Sequence, residues 1–141
     1  MNESRCPLCG KTYSGYAAIS RTNNTMKICP ECGTQEAITQ FQIVNAPTYY
    51  TQNVAEWVRN TPDALEHILH CLDRHMRLDW GEMDAEDKAL NNISLVSGDR
   101  IFSAYDIPKD LQDAYPLGDN KIWIITEADR SATTILFPDE Y

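Results

Sequence analysis

Four of the five cysteines fall in two matched turns, Cys6-Pro7-Leu8-Cys9-Gly10 and Cys29-Pro30-Glu31-Cys32-Gly33, with nineteen residues between Cys9 and Cys29. Thiolates two residues apart can reach one ion from a tight turn, and glycine after the second cysteine lets the backbone fold close. Two such pairs complete a tetrahedron. The expected chemistry is therefore one Zn2+ held by Cys6, Cys9, Cys29 and Cys32. Four thiolates leave no open coordination position, which makes that ion structural and not catalytic. Disulfides are rare in reducing compartments, where Cys-x2-Cys pairs more often bind metal. An iron site or a redox dithiol is the alternative use of the same spacing.

Three further groupings could do chemistry. His67, Cys71 and His75 recur every four residues and could converge on a second ion, although no fourth ligand is obvious. A single cysteine beside a helical core is more often a small hydrophobe, and its neighbouring histidines are more often polar edges. Asp79, Glu82, Asp84, Glu86 and Asp87 lie within nine residues and, beside His75, could hold magnesium for phosphoryl chemistry. The plainer use is helical: Asp84, Glu86 and Asp87 open a helix at the positive end of its dipole, while Trp80 packs and Gly81 turns. Ser103, Ser131, Thr133 and Thr134 are potential nucleophiles, with Glu127, Asp129 and Arg130 as potential partners. No Gly-x-Ser-x-Gly elbow, phosphate loop or zincin helix accompanies them. Hydroxyls in strands are more often cross-strand fillers, and Asp129-Arg130 suits a turn with an ion pair.

The elements that must position these groups follow from periodicity. Between the knuckles, YAAIS and TMKI flank the polar turn RTNN, which predicts a short hairpin. After Cys32, GTQEAITQF predicts a helix capped by Thr34 with Ala37, Ile38 and Phe41 on one face. Knuckle, hairpin, knuckle, helix is the order of a treble-clef finger; a zinc ribbon, with a strand in place of the helix, is the alternative because AITQFQIV also alternates. FQIVNAPTYYTQN, from Phe41 to Asn53, is expected to be the linker.

Beyond it, NVAEWVRN forms a short amphipathic helix with Val54, Trp57 and Val58 on one side. Asn60 or Thr61 caps, and Pro62 opens, a longer helix with Leu65, Ile68, Leu69, Leu72 and Met76 on its core face. The period then changes. RIFSAYDI, KIWIITEA and ATTILFP predict a three-stranded antiparallel meander, bounded by loops at Pro108, Pro116 and Gly118 and by the Asp129-Arg130-Ser131 turn. The expected fold is α+β, with a four-cysteine zinc-finger module over residues 1–45 and an acidic helix-plus-meander domain over 46–141.

Charge separates the same two regions. Residues 1–45 carry four basic and three acidic side chains, net +1, whereas the remaining chain carries 8 basic and 18 acidic, net -10, of the overall -9. An acidic body repels phosphate backbones and attracts basic surfaces, so the expected partner is a protein with a basic surface. The finger lacks the basic stripe of a DNA or RNA reader, which argues against direct nucleic-acid binding. No apolar run approaches a membrane span and MNESRCPLCG lacks the pattern of a signal peptide, so a cytoplasmic protein is expected.

The stretch from His75 through LDWGEMDAEDKALNN, RIFSAYDI and KIWIITEADRSATTILFPDEY resembles the C-terminal part of small proteins carried by plasmids, conjugative elements and phages. Some of these bear a type I restriction-modification label that their length does not justify. The double Cys-Pro-x-Cys-Gly knuckle is similar to one that accompanies this tail in the same group; the likeness is weakest between Gln42 and Leu72. It implies a mobile-element accessory protein of a bacterial host, and with it a counter-defence role, either as an anti-restriction protein that mimics DNA charge or as an anti-CRISPR protein. Within that group of roles, an anti-CRISPR inhibitor would dock near the positively charged channel of a type II Cas nuclease and obstruct target loading. Asp79, Glu82, Asp84, Glu86 and Asp87 are the expected partner patch. A zinc-finger nucleic-acid-binding regulator and a metal-dependent hydrolase or nuclease are the alternatives.

Overall fold

The computed structural model describes residues 3–112 and 120–141. Two small antiparallel hairpins open the chain: β1 (Ser4–Arg5) with β2 (Thr12–Tyr13), and β3 (Ala18–Ile19) with β4 (Lys27–Ile28). The second lies where RTNN predicts a turn, and there Asn23 Oδ1 accepts from the Thr25 amide at 2.9 Å. Helix α1 (Pro30–Asn45) starts inside the second knuckle. Its N-cap is Cys29 and Pro30 takes the first turn, where a missing N–H costs nothing, so Thr34 is an interior residue and not the cap. The residues that the ribbon alternative gives to a strand are helical.

The segment expected to be a linker is structured. Helix α1 runs through Asn45, and Thr48–Tyr50 forms strand β5. Helices α2 (Gln52–Asn60), α3 (Ala64–Met76) and α4 (Ala85–Ser97) follow, then β6 (Ile101–Asp106), β7 (Lys121–Thr126) and β8 (Thr133–Leu136). The sheet order is β5-β8-β7-β6, with β6, β7 and β8 antiparallel and β5 parallel to β8. The expected loop positions Pro116 and Gly118 lie outside the described residues.

Helices α2 and α3 cover one sheet face through Val54, Trp57, Ile68 and Cys71 against Tyr105, Ile122, Ile124, Ile135 and Phe137. The Trp57 indole N–H donates to the Leu111 carbonyl at 3.0 Å, so its polar edge is satisfied in the core. A second apolar cluster joins Ile43 of α1 to Leu78, Trp80, Leu95 and Ile101. Thr39 of α1 donates to the Leu95 carbonyl at 2.7 Å, and Gln40 to the Met76 carbonyl at 3.1 Å. The first half of α1 thus adjoins the second knuckle, and its second half is packed against α3 and α4.

Two helical faces differ from expectation. On α1 the buried side chains are Cys32, Glu36, Thr39 and Ile43, while Ile38 and Phe41 face outward. Glu36 is held inside because its carboxylate accepts from Ser20 Oγ at 2.6 Å and the Arg21 amide at 2.9 Å, tying α1 to the β3–β4 hairpin. On α3 the buried row is Ala64, Ile68, Cys71 and His75, whereas Leu65 and Leu69 are about half exposed. That helix begins later than Asn60 or Thr61 would set it, after Asp63 in a left-handed conformation. Its rotation follows from His75, whose two ring nitrogens both find hydroxyl partners in the sheet.

Candidate metal centre

Each knuckle is closed by its own backbone. Gly10 N–H donates to the Cys6 carbonyl at 2.9 Å, and Gly33 N–H to the Cys29 carbonyl at 3.0 Å. A Cβ on Gly33 would sit 2.5 Å from the Ala18 Cβ, so glycine here lets β3 close onto the start of α1. These turns bring Cys6, Cys9, Cys29 and Cys32 together with all four sulfurs within 4.8 Å of one another, the single such group among the described residues. Cys9 and Cys29 Sγ are 3.8 Å apart. Tetrahedral thiolate coordination with metal–sulfur bonds of about 2.3 Å sets sulfur–sulfur edges of about 3.8 Å, so the donor set fits such an ion.

Burial pushes the Cys29 and Cys32 thiols up. Burial also opposes ionisation of Cys6, but hydrogen bonds with the backbone of Cys29, Cys9 and Leu8 draw it down to about 6. Thiolates this close and this buried need a compensating cation. Leu8 and Ile28 shield the cluster, with Val96 of α4 packed against it.

The expected partner patch divides by role. Arg74 forms a two-pronged pair with Asp79 at 2.8 and 3.3 Å, and also reaches Glu82 at 3.3 Å. The guanidinium holds the Asp79 carboxyl below its usual range. Asp84 caps α4, its Oδ1 accepting from the Asp87 amide at 2.8 Å. Glu86 and Asp87 remain exposed in the first helical turn. The turn at Asp129-Arg130-Ser131 forms, with the Ser131 amide donating to Asp129 Oδ1 at 3.0 Å. Arg130 does not make the expected ion pair; its guanidinium donates to the carbonyls of Asp99 and Ser94 at 2.7 and 3.2 Å, at the C-terminal end of α4. Cations are favoured there by the helix dipole.

The three residues of the His-Cys-His row do not converge. His67 Nε2 lies 3.5 Å from Cys71 Sγ and 3.1 Å from the Asp106 carbonyl. His75 points into the core, with Nδ1 2.6 Å from Ser103 Oγ and Nε2 2.9 Å from Thr126 Oγ1; Thr126 in turn meets Thr133 at 2.8 Å. A serine–histidine pair is therefore present that the primary structure, with the partners 28 positions apart, does not reveal. His75 and Ser103 have 0% exposure, so no substrate reaches them; the network is a polar brace inside the core.

That brace makes acid stability a test. Burial drives the His75 pKa down from 6.5 to about 3. Between those values the unfolded chain binds a proton that the folded chain refuses, so this group's stabilisation is full above about 6.5 and declines as pH falls toward 3. The expected slope from His75 is about 1.4 kcal/mol per pH unit in that window. His75→Gln should lower stability at pH 7 and flatten the acid slope by that amount in urea melts. An unchanged slope would show that His75 is not held neutral.

No family model matches the chain, no curated protein matches it, and no solved structure matches it. Among the described residues no helix is long and apolar enough to cross a membrane.

Proposed function

We propose that this chain is a non-enzymatic binding protein whose four-cysteine centre holds one structural zinc ion in a treble-clef finger, and whose acidic remainder docks on a basic protein surface. The charge split carries this reading: net -10 over residues 46–141 against +1 over residues 1–45. The order β1–β2 knuckle, β3–β4 hairpin and α1 capped by Cys29 supports the finger assignment. Closed thiolate coordination leaves the ion no place for a substrate or water, so its contribution is to the fold. The resemblance to mobile-element proteins directs the partner class toward counter-defence, with an RNA-guided nuclease of a type II CRISPR system as the target. A body of this charge would compete for the channel that holds the guide–target duplex.

The contact is expected at Glu86 and Asp87. Asp79 and Glu82 share the single guanidinium of Arg74, and Asp84 serves the α4 cap, so Glu86 and Asp87 are the exposed members of the patch whose carboxylates have no partner among the described residues. Reversing both to lysine should weaken binding to the guide-loaded nuclease by about tenfold or more in calorimetry, with little change in melting temperature. Equal binding by the reversed variant would remove this surface from the interface. Asp79→Lys is the contrasting control, because it strands Arg74 and should destabilise the fold itself.

A further inference from the structure

The two edges of the four-stranded sheet are treated differently. Every outward backbone group of β6 from Phe102 to Asp106 is occupied. The Asn91 amide pairs with both the N–H and the C=O of Phe102, as a neighbouring strand would. The Ala104 amide donates to the Trp80 carbonyl at 3.2 Å, and its carbonyl accepts from the Glu82 amide at 2.8 Å. Asp106 N–H donates to Glu82 Oε2 at 3.2 Å, and its carbonyl meets His67 Nε2 at 3.1 Å. Side chains and a short bridge thus close that edge as completely as a strand would.

The β5 edge has no such cover. Pro47 C=O and Thr51 N–H point at β8, bonded to Thr133 and Ile135 at 2.8 and 3.1 Å. By strand alternation the N–H and C=O of Thr48 and Tyr50 point away from the sheet. Among the described residues nothing pairs with them, and all three β5 residues are exposed, Tyr49 at 59%. Uncapped edges recruit strands, which is why folded proteins usually blunt them with charge. This one carries no such charge: from Ala37 to Ala55 there are nineteen consecutive residues without a charge or a histidine, the longest such run in the chain. The same run carries exposed Phe41, Val44, Tyr49 and Tyr50.

We infer that β5 pairs antiparallel with β5 of a second copy of this chain, joining two sheets into one of eight strands. Charge selects that occupant. A basic partner would gain nothing from an uncharged edge, whereas two chains of net -9 approach each other at the lowest electrostatic cost where neither presents charge. The edge is also self-complementary. With Tyr49 on the twofold axis, Thr48 of each copy exchanges both backbone hydrogen bonds with Tyr50 of the other, which satisfies every outward group of the strand. Tyr49 then faces its own copy at a close, non-hydrogen-bonded position where aromatic pairs are favoured.

Sedimentation of the metal-loaded 141-residue chain tests the pairing. Dimers of twice 16.0 kDa are expected at high micromolar concentration, tightening as salt rises because the like charges of the two bodies are screened. Tyr49→Lys sets like charges against each other at the axis and should weaken association by about tenfold or more, while Tyr49→Phe should leave it intact. Amide exchange of the unaltered protein gives an independent reading: Thr48 and Tyr50 should exchange slowly when concentrated and rapidly when dilute. A monomer at all concentrations overturns the inference. So does a dimer that Tyr49→Lys leaves undiminished, or exchange at Thr48 and Tyr50 that ignores concentration.

Discussion

On the zinc centre proposed above, treatment with a strong chelator is expected to unfold β1 to β4 and the first turns of α1 while the four-stranded sheet and its helices stay folded. The hairpins are two residues per strand and bury little beyond Cys6, Leu8, Ile28, Cys29 and Cys32. Small fingers draw about 10–16 kcal/mol of apparent free energy from zinc, far more than that cluster can supply alone. The second half of α1 has another anchor, because Ile43 lies in the cluster of Leu78, Trp80, Leu95 and Ile101, and Thr39 bonds the Leu95 carbonyl. Loss should therefore stop near Glu36, whose carboxylate partners Ser20 and Arg21 leave with the hairpin. Hydrogen exchange checks this. Amides of residues 4–36 should lose protection on chelation and on Cys32→Ser, while β6, β7 and β8 keep theirs. Collapse of the sheet in the same transition, or no change at all, would contradict the division.

Gly81→Ala should destabilise the sheet by about 3 kcal/mol or more, summing a left-handed backbone penalty with overpacking against a fixed strand. Gly81 has φ near +80°, and an added Cβ would lie 2.0 Å from the Ala104 carbonyl oxygen and 2.6 Å from the Tyr105 ring. Neither neighbour can yield. Ala104 is bridged to Gly81 and bonded through both its N–H and its C=O to Trp80 and Glu82, while the Tyr105 hydroxyl donates to the Asp79 carbonyl at 2.8 Å. Displacing this segment would also open the β6 edge and loosen the Arg74 pairs with Asp79 and Glu82. A lowered urea midpoint with an unchanged slope is the expected result. Wild-type stability would mean that the Trp80–Glu82 segment is not clasped to β6.

What the chain order alone shows and what it hides divide along a physical line. The cysteine cluster, the hairpin around RTNN, the helix opening at Asp84 and the three later strands are local: spacing, turn chemistry and alternation specify them within a few residues. The buried face of α3 is not local. His75 displaces Leu65 and Leu69 from the core because its hydroxyl partners, Ser103 and Thr126, arrive 28 and 51 residues later. Helix propensity and apolar spacing carry no record of that. On α1, Glu36 takes an interior place that Ile38 and Phe41 would fill by hydropathy, for the same reason. Strand β5 is three residues long and finds its partner β8 more than eighty positions away, so its segment has the look of a connector. The serine–histidine pair is hidden likewise, and its burial is what separates a brace from a reactive site.

The central claim is that one tetrathiolate-bound metal ion organises the amino-terminal end of this protein. X-ray absorption at the zinc edge, combined with elemental analysis of protein purified without added metal, tests it most directly. The predicted result is one zinc per chain in a shell of four sulfurs at about 2.3 Å. A substoichiometric metal content, or a shell containing nitrogen or oxygen in place of any of the four sulfurs, would contradict it.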